Sequence, residues 1–240
     1  MVLRFSIFAV AFLLSCTSIE RDSVCDEKSI KYNGCVGDIF VYGDGDPVTY
    51  EGETYETVVI GTQIWMARNL NYKAPGSACY NHKESNCTVY GRFYDWATAM
   101  GIDAEYNSEW WDINGVNEKH QGICPNGWHI PSVAEWTTLE NFVGSSVAGT
   151  KLKATSGWFN YERYPEGNGD DAFGFSALPG GYLDSEGYLA YEVSSSGYWW
   201  TASEFSRAYA HSLRIIYDDY IVEKLNNDKS YMYNVRCLKD

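Results

Sequence analysis

The sequence predicts an α+β domain stapled by disulfides, and three observations carry that expectation. The run E-T-V-V-I-G-T-Q-I-W-M at 56–66 is β-branched and alternating, and reads as a hairpin turning near Gly61 and Thr62. In C-P-N-G-W-H-I-P-S-V-A-E-W at 124–136, Ser132 and Glu135 have the spacing of a capping box, in which each side chain satisfies an orphan backbone N–H. Six cysteines remain once Cys16 is set aside, and an even number in an exported chain reads as a disulfide framework.

Each element follows from local chemistry. Pro131 disfavours helical geometry at Ile130, Trp136, Leu139, Phe142 and Val143 recur at helical spacing, and Gly144 ends the run, so a helix is expected over 133–143. Y-G-R-F-Y-D-W-A-T-A-M at 90–100 gives a short helix around 95–100, with Trp96, Ala97 and Met100 on one side. Beyond it, short aromatic-rich strands alternate with glycines at 167–169, 180–181 and 197; Trp199 and Trp200 adjoin a strand start, and at least one belongs in the core. The runs A-H-S-L-R-I-I-Y at 210–217 and M-Y-N-V-R-C-L at 232–238 read as two strands of a closing sheet.

The N-terminal third has a different character. Residues 1–15 carry one charge, Arg4, then a mostly apolar run ending L-L-S-C, too short to span a membrane and proportioned as a signal-peptide core. Ser15 before Cys16 resembles a bacterial lipobox, which implies cleavage, lipidation of Cys16 and, because Thr17 is not aspartate, a lipid-anchored outer-membrane address on the periplasmic face or the cell surface. An ordinary signal peptide cut nearby is the rival, and no small-x-small site supports it. Residues 16–54 are acidic and glycine-rich without sustained periodicity, and read as a tether or small cap before one domain over 55–240. G-D-G-D-P at 43–47 lacks the ligand run of an EF-hand, so a solvated turn is expected there.

Spacing also proposes the pairing of the cysteines. Cys25 with Cys35 and Cys79 with Cys87 can each close a local loop, which leaves Cys124 for Cys237. No C-x-x-C supports zinc or thioredoxin-like chemistry, and His82, His120, His129 and His211 have no ligand-like spacing, so no metal is assigned. His129, between Trp128 and Ile130, reads as an internally hydrogen-bonded residue. A formal charge of −14 disfavours nucleic acid and anionic lipid surfaces as partners.

Six blocks in order resemble the Fibrobacter succinogenes major paralogous domain family of exported bacterial proteins. They are V-V-I-G-T-Q-I-W-M-A-R-N-L-N-Y at 58–72, the 90–100 run, C-P-N-G-W-H-I-P-S-V-A-E-W-T-T-L at 124–139, F-G-F-S-A-L-P-G-G-Y at 173–182, Y-W-W-T-A-S at 198–203 and V-R-C-L-K-D at 235–240. That family in turn looks like a branch of the C-type-lectin-like fold, which also includes the sulfatase-modifying enzymes. The resemblance implies two helices packed on small antiparallel sheets with long irregular loops, a Cys124–Cys237 bridge, and a ligand region near 157–203. The motifs that hold calcium and sugar in C-type lectins are absent, so no cofactor is carried over and calcium lacks a supporting motif. A spare thiol pair of the sulfatase-modifying kind is also lacking.

Nine tryptophans and twenty tyrosines exceed what one modest core requires. The sequence therefore points to a non-catalytic surface module that binds an extracellular ligand, with polysaccharide first and a protein partner of an assembly module second. The candidate residues are Trp110, Trp111, Trp158, Tyr161, Tyr164, Tyr188 and Tyr191 as aromatic platforms, with Asp170 and Asp171 beside them as hydrogen-bonding or turn-forming groups. A carboxylate-based hydrolase is the third reading, for which 32 acidic residues nominate no particular pair.

Overall fold

The protein is a mixed α/β domain; the computed structural model describes residues 41–111, 119–159 and 167–240, and among these residues there are three small antiparallel sheets. The first sheet has the order β1-β2-β3-β10-β4, from β1 (Val41–Tyr50), β2 (Glu53–Gly61), β3 (Gln63–Met66), β4 (Trp128–His129) and β10 (Leu238–Lys239). β5 (Tyr182–Leu183) and β6 (Ala190–Tyr191) form a two-stranded hairpin, and β7 (Ser196–Glu204), β8 (Tyr209–Ile216) and β9 (Glu223–Asp228) form the third sheet. Four α-helices lie among the described residues instead of two: α1 (Glu84–Tyr90), α2 (Trp96–Met100), α3 (Val133–Val143) and α4 (Ala148–Leu152). Those at 84–90 and 148–152 lack an apolar side like that of Trp96, Ala97 and Met100, the first burying only Cys87 and the second the small Ala148 and Gly149 with Leu152, so pattern alone does not reveal them.

The locally encoded elements form where expected. Ile60 pairs with Gln63 across the two-residue turn at Gly61 and Thr62, and Gly61 takes φ +65°, a conformation that costs a glycine little. Ser132 Oγ accepts from Glu135 N at 3.3 Å while Glu135 carboxylate oxygen Oε2 accepts from Ser132 N at 2.8 Å, so the capping box closes α3. Asp95 caps α2 by accepting from Thr98 N at 2.7 Å.

Two expectations need correction. Within the 16–54 stretch, residues 41–50 are strand β1, which pairs antiparallel with β2 from Val41↔Gly61 to Tyr50↔Glu53, and 53–54 begin β2 itself. G-D-G-D-P lies inside that strand, with an irregularity between Gly45 and Val48, and is not a free turn. Glycines and aspartates hide the alternation, yet the backbone hydrogen bonds of an edge strand require no apolar side chain. Residues 232–238 are not a regular strand either. They thread the core through single bridges, Leu183↔Met232, Tyr94↔Tyr233 and Trp199↔Asn234, before Leu238 joins β3 and β4.

Five of the six family-like blocks converge in that core. Trp65, Trp136, Trp199 and Phe175 pack with ring centroids 4.9 to 6.2 Å apart, each ring fully buried. Beside them Arg236, buried without a carboxylate partner, donates to Asn69 Oδ1 through Nε (3.0 Å) and Nη2 (2.7 Å) and to the carbonyls of Met66 and Phe175. Trp199 Nε1 donates to the same Asn69 oxygen at 2.8 Å. Burial pushes the Arg236 guanidinium down to about 9, with Asp171 acting weakly against it. Trp199 and Trp200 are both core, so the blocks at 58–72, 124–139, 173–182, 198–203 and 235–240 build scaffold.

His129 is the internally bonded residue expected. Its Nδ1 lies 2.7 Å from Asp240 Oδ1 and its Nε2 2.9 Å from Glu135 Oε1, joining α3 to the C-terminal strand. Burial lowers its pKa, but the bonds to Glu135 and Asp240 outweigh that and the net shift is upward from 6.5; Glu135 is held below its ordinary value despite burial, by His129 and Ser132. A raised histidine contributes stability that is full below the unfolded value of 6.5 and is lost as pH rises through the folded value. Urea midpoints of the wild type should therefore fall as pH rises above 6.5, and His129→Gln should flatten that slope. Parallel pH profiles for the two proteins would refute this coupling.

Candidate functional site

Cys79 and Cys87, 5.2 Å apart at Cα, staple the segment that carries α1, and this segment faces the turn of the β5–β6 hairpin. Between them lies a cleft of about 400 Å³, lined by groups that include Lys73, His82, Glu84, Arg92, Asp95, Glu186 and Tyr188. Asn81 and His82 both hold φ +52°, an uncommon conformation for side-chain-bearing residues, inside the short disulfide loop. The His82 ring lies 5.1 Å from that of Tyr188, which is 63 % exposed. Tyr188 is set by its turn: Asp184 Oδ1 accepts from Tyr188 N at 2.8 Å and Leu189 N at 3.2 Å.

The polar wall is an ion triad. Arg92 has a side chain only 5 % exposed, and its Nη2 meets Glu84 Oε2, while Lys73 Nζ reaches the other Glu84 oxygen at 3.2 Å. Hydrogen bonds from Arg92 and then Lys73 hold the Glu84 carboxyl below its usual range. Arg92 Nε is buried without a partner. Its backbone is held, with N donating to Leu70 O at 3.0 Å and O accepting from Asn234 Nδ2 at 2.9 Å, and burial of the side chain restricts the guanidinium. Asp95 lines the cleft but spends both oxygens on Thr98, N and Oγ1.

A second hollow of about 420 Å³ lies between the β2–β3 turn and α3, lined by Ile60, Gly61, Thr62, Thr138, Asn141 and Phe142. No charged side chain lines it, so it offers shape with little means of orienting a polar ligand.

The sequence-predicted residues separate into distinct environments. Tyr188 enters the cleft, and Tyr191, 41 % exposed, stacks on Tyr182 at 5.1 Å elsewhere on the same hairpin. Trp158 is 4 % exposed and donates from Nε1 to Ala177 O at 3.0 Å, so it is core and unavailable as a platform. Asp171 accepts from Ser176 N at 2.7 Å and Oγ at 2.6 Å, a turn-forming role, while Asp170 is exposed. Trp111 packs against Trp96 and His120, with centroids 6.2 and 4.5 Å away; Trp110 beside it is 39 % exposed. Cys16, the Cys25–Cys35 pair, Tyr161 and Tyr164 lie outside the described residues. Cys79–Cys87 and Cys124–Cys237 both form.

The loop bearing Trp110 and Trp111 is held by a buried cation. Lys229 Nζ donates to the carbonyls of Tyr106 (2.9 Å), Glu109 (3.1 Å) and Arg207 (2.8 Å), meets Glu204 Oε1, and sits 4.5 Å from the Trp96 ring. Burial lowers its pKa, with Glu204 opposing the shift.

The Fibrobacter succinogenes major domain matches residues 58–239, and the match takes in both disulfides, the cleft and the core around Arg236. The chain belongs to that family. No curated protein and no solved structure matches it significantly. Most of the cleft's lining falls between the blocks that carry the family resemblance, at 73–84 and 185–188, with Arg92 and Asp95 contributed by the 90–100 block. Sequence reasoning found Tyr188 and missed Lys73, Glu84, Arg92 and Lys229. The one available signal was the short Cys79–Cys87 spacing, since a stapled loop beside a helix marks a rigid surface.

Among the described residues no group of three or more His, Cys, Asp or Glu side chains could hold a metal ion, and no helix is long and apolar enough to cross a membrane.

Proposed function

We propose that this protein is a non-catalytic module on a lipid-anchored outer-membrane protein, binding polysaccharide in the cleft between the Cys79–Cys87 loop and the β5–β6 hairpin. The observation that carries the reading is the pairing of exposed Tyr188 with the Arg92–Glu84–Lys73 triad in one cleft. An aromatic face covers the C–H face of a pyranose, while alternating donors and acceptors meet its hydroxyls. Catalysis finds less support there, because Glu84 is tied to two cations and Asp95 caps a helix, which leaves Glu186 without a second untied lining carboxylate to pair with in acid–base work. A C-type-lectin-like architecture is part of the same proposal. Its support is the first and last strands sharing one sheet and the Cys124–Cys237 bridge from the segment before α3 to the residue before β10.

Retention on insoluble cellulose and xylan tests the binding. The wild type should be retained on at least one, and Tyr188→Ala should weaken that retention by about three- to ten-fold, the worth of one aromatic contact. Folded wild-type protein that passes through both, and through other neutral wall glycans, would end the polysaccharide reading. The second reading, a protein-binding surface, would then gain from Leu189, 58 % exposed next to Tyr188. The anchor is tested by whether the full-length chain fractionates with outer membranes.

A further inference from the structure

We infer that Glu84 is a specificity-determining residue that sets the cleft to accept uncharged sugars and to reject acidic ones. The inference rests on the polysaccharide reading and narrows its ligand class. The cleft contains one lysine and one arginine, Lys73 and Arg92, and Glu84 contacts both, one carboxylate oxygen to each. An anionic group entering the cleft would meet Lys73 beside the Glu84 carboxylate, which already compensates both cations and repels a second negative charge. It would also approach Glu186, the lining carboxylate without a hydrogen bond or ion pair here, on a chain of formal charge −14. A neutral sugar meets no such barrier, since its hydroxyls can donate to Glu84 and accept from Lys73 without separating the ions.

The triad's construction suits this role. Arg92 is buried and offers a ligand little surface, whereas Glu84 and Lys73 are 65 % and 75 % exposed and present their free edges to solvent. Glu84 is held below the ordinary carboxylate range, so it stays ionised as pH falls and the screen persists under mildly acidic conditions.

The test compares retention of the folded protein on neutral polymers, cellulose and xylan, with retention on polygalacturonate, each at low and high salt. The wild type should hold to a neutral polymer with little salt dependence and pass through polygalacturonate. Glu84→Gln, a change at an exposed position, should gain retention on polygalacturonate by about ten-fold at low salt and lose that gain at high salt, as expected of uncovered cations. Lys73→Met added to Glu84→Gln should reverse most of that gain. Wild-type binding to polygalacturonate, or a Glu84→Gln protein as indifferent to it as the wild type, would overturn the inference while leaving neutral-polymer binding intact. Failure of the wild type on every polymer would instead sink the polysaccharide reading, and this inference with it.

Discussion

Replacing Lys229 with methionine should lower the unfolding free energy by about 3–5 kcal/mol, the usual cost of removing one partner from a buried ion pair. The size follows from what the substitution leaves behind. Lys229 has a fully buried side chain and Glu204 is 6 % exposed, so the substitution would take the cation away from a buried carboxylate, to which the Trp111 N–H also donates at 3.1 Å. The carbonyls of Tyr106, Glu109 and Arg207 would lose a common donor at the same time. Methionine fills most of the lysine's volume, which isolates the electrostatic loss from a cavity. Guanidinium denaturation measures it, and Glu204→Gln added to the same protein should return part of the loss by removing the stranded charge. A midpoint that barely moves would mean that water reaches this cluster and that the ammonium is dispensable. Near-UV circular dichroism should report the loosening of Trp110 and Trp111, because the loop before them contributes two of the carbonyls.

The second large effect belongs to Cys124–Cys237. Converting both to alanine should cost about 4–5 kcal/mol, as expected when the unfolded chain regains a loop of roughly a hundred residues. The observed separation is 113 residues, and both cysteines are buried, so lost packing adds to the chain-entropy contribution. Cys79–Cys87 closes a loop of separation 8 and its removal should cost about 2–3 kcal/mol on the same reasoning. The comparison of the two double variants in denaturant is the measurement. Equal losses, or a larger loss for the short loop, would show that local strain and packing dominate over chain entropy.

These two predictions differ in how they became accessible. The long disulfide is legible from the cysteine positions alone, because two short spacings leave one long pair. The Lys229 cage is not, since three of its acceptors are backbone carbonyls, which every residue has, and they come from segments as far as 123 residues away in the chain. The same contrast holds for the site. Tyr188 is visible as an aromatic in a glycine-bounded run, whereas Arg92 lies within Y-G-R-F-Y, where nothing local says that its guanidinium will be buried beside Glu84. Trp158 reads like Tyr188 in sequence, and only the closure of the core around Ala177 separates them.

By itself the sequence determined the elements that short-range chemistry specifies and the family to which the chain belongs. The 56–66 hairpin follows from alternation with a two-residue turn, α3 from its capping box and period, and His129's internal bonding from its place before that helix. Tertiary structure alone decided which aromatics face solvent, that β1 extends the first sheet, and that the 232–238 segment is threaded through the core by single bridges. It also decided that Lys73, Glu84, Arg92 and Tyr188 share one cleft. The physical reason is range. Caps, turns and periodicity act within a few residues and leave a local signature, while burial and charge pairing depend on segments that meet only after the chain has folded.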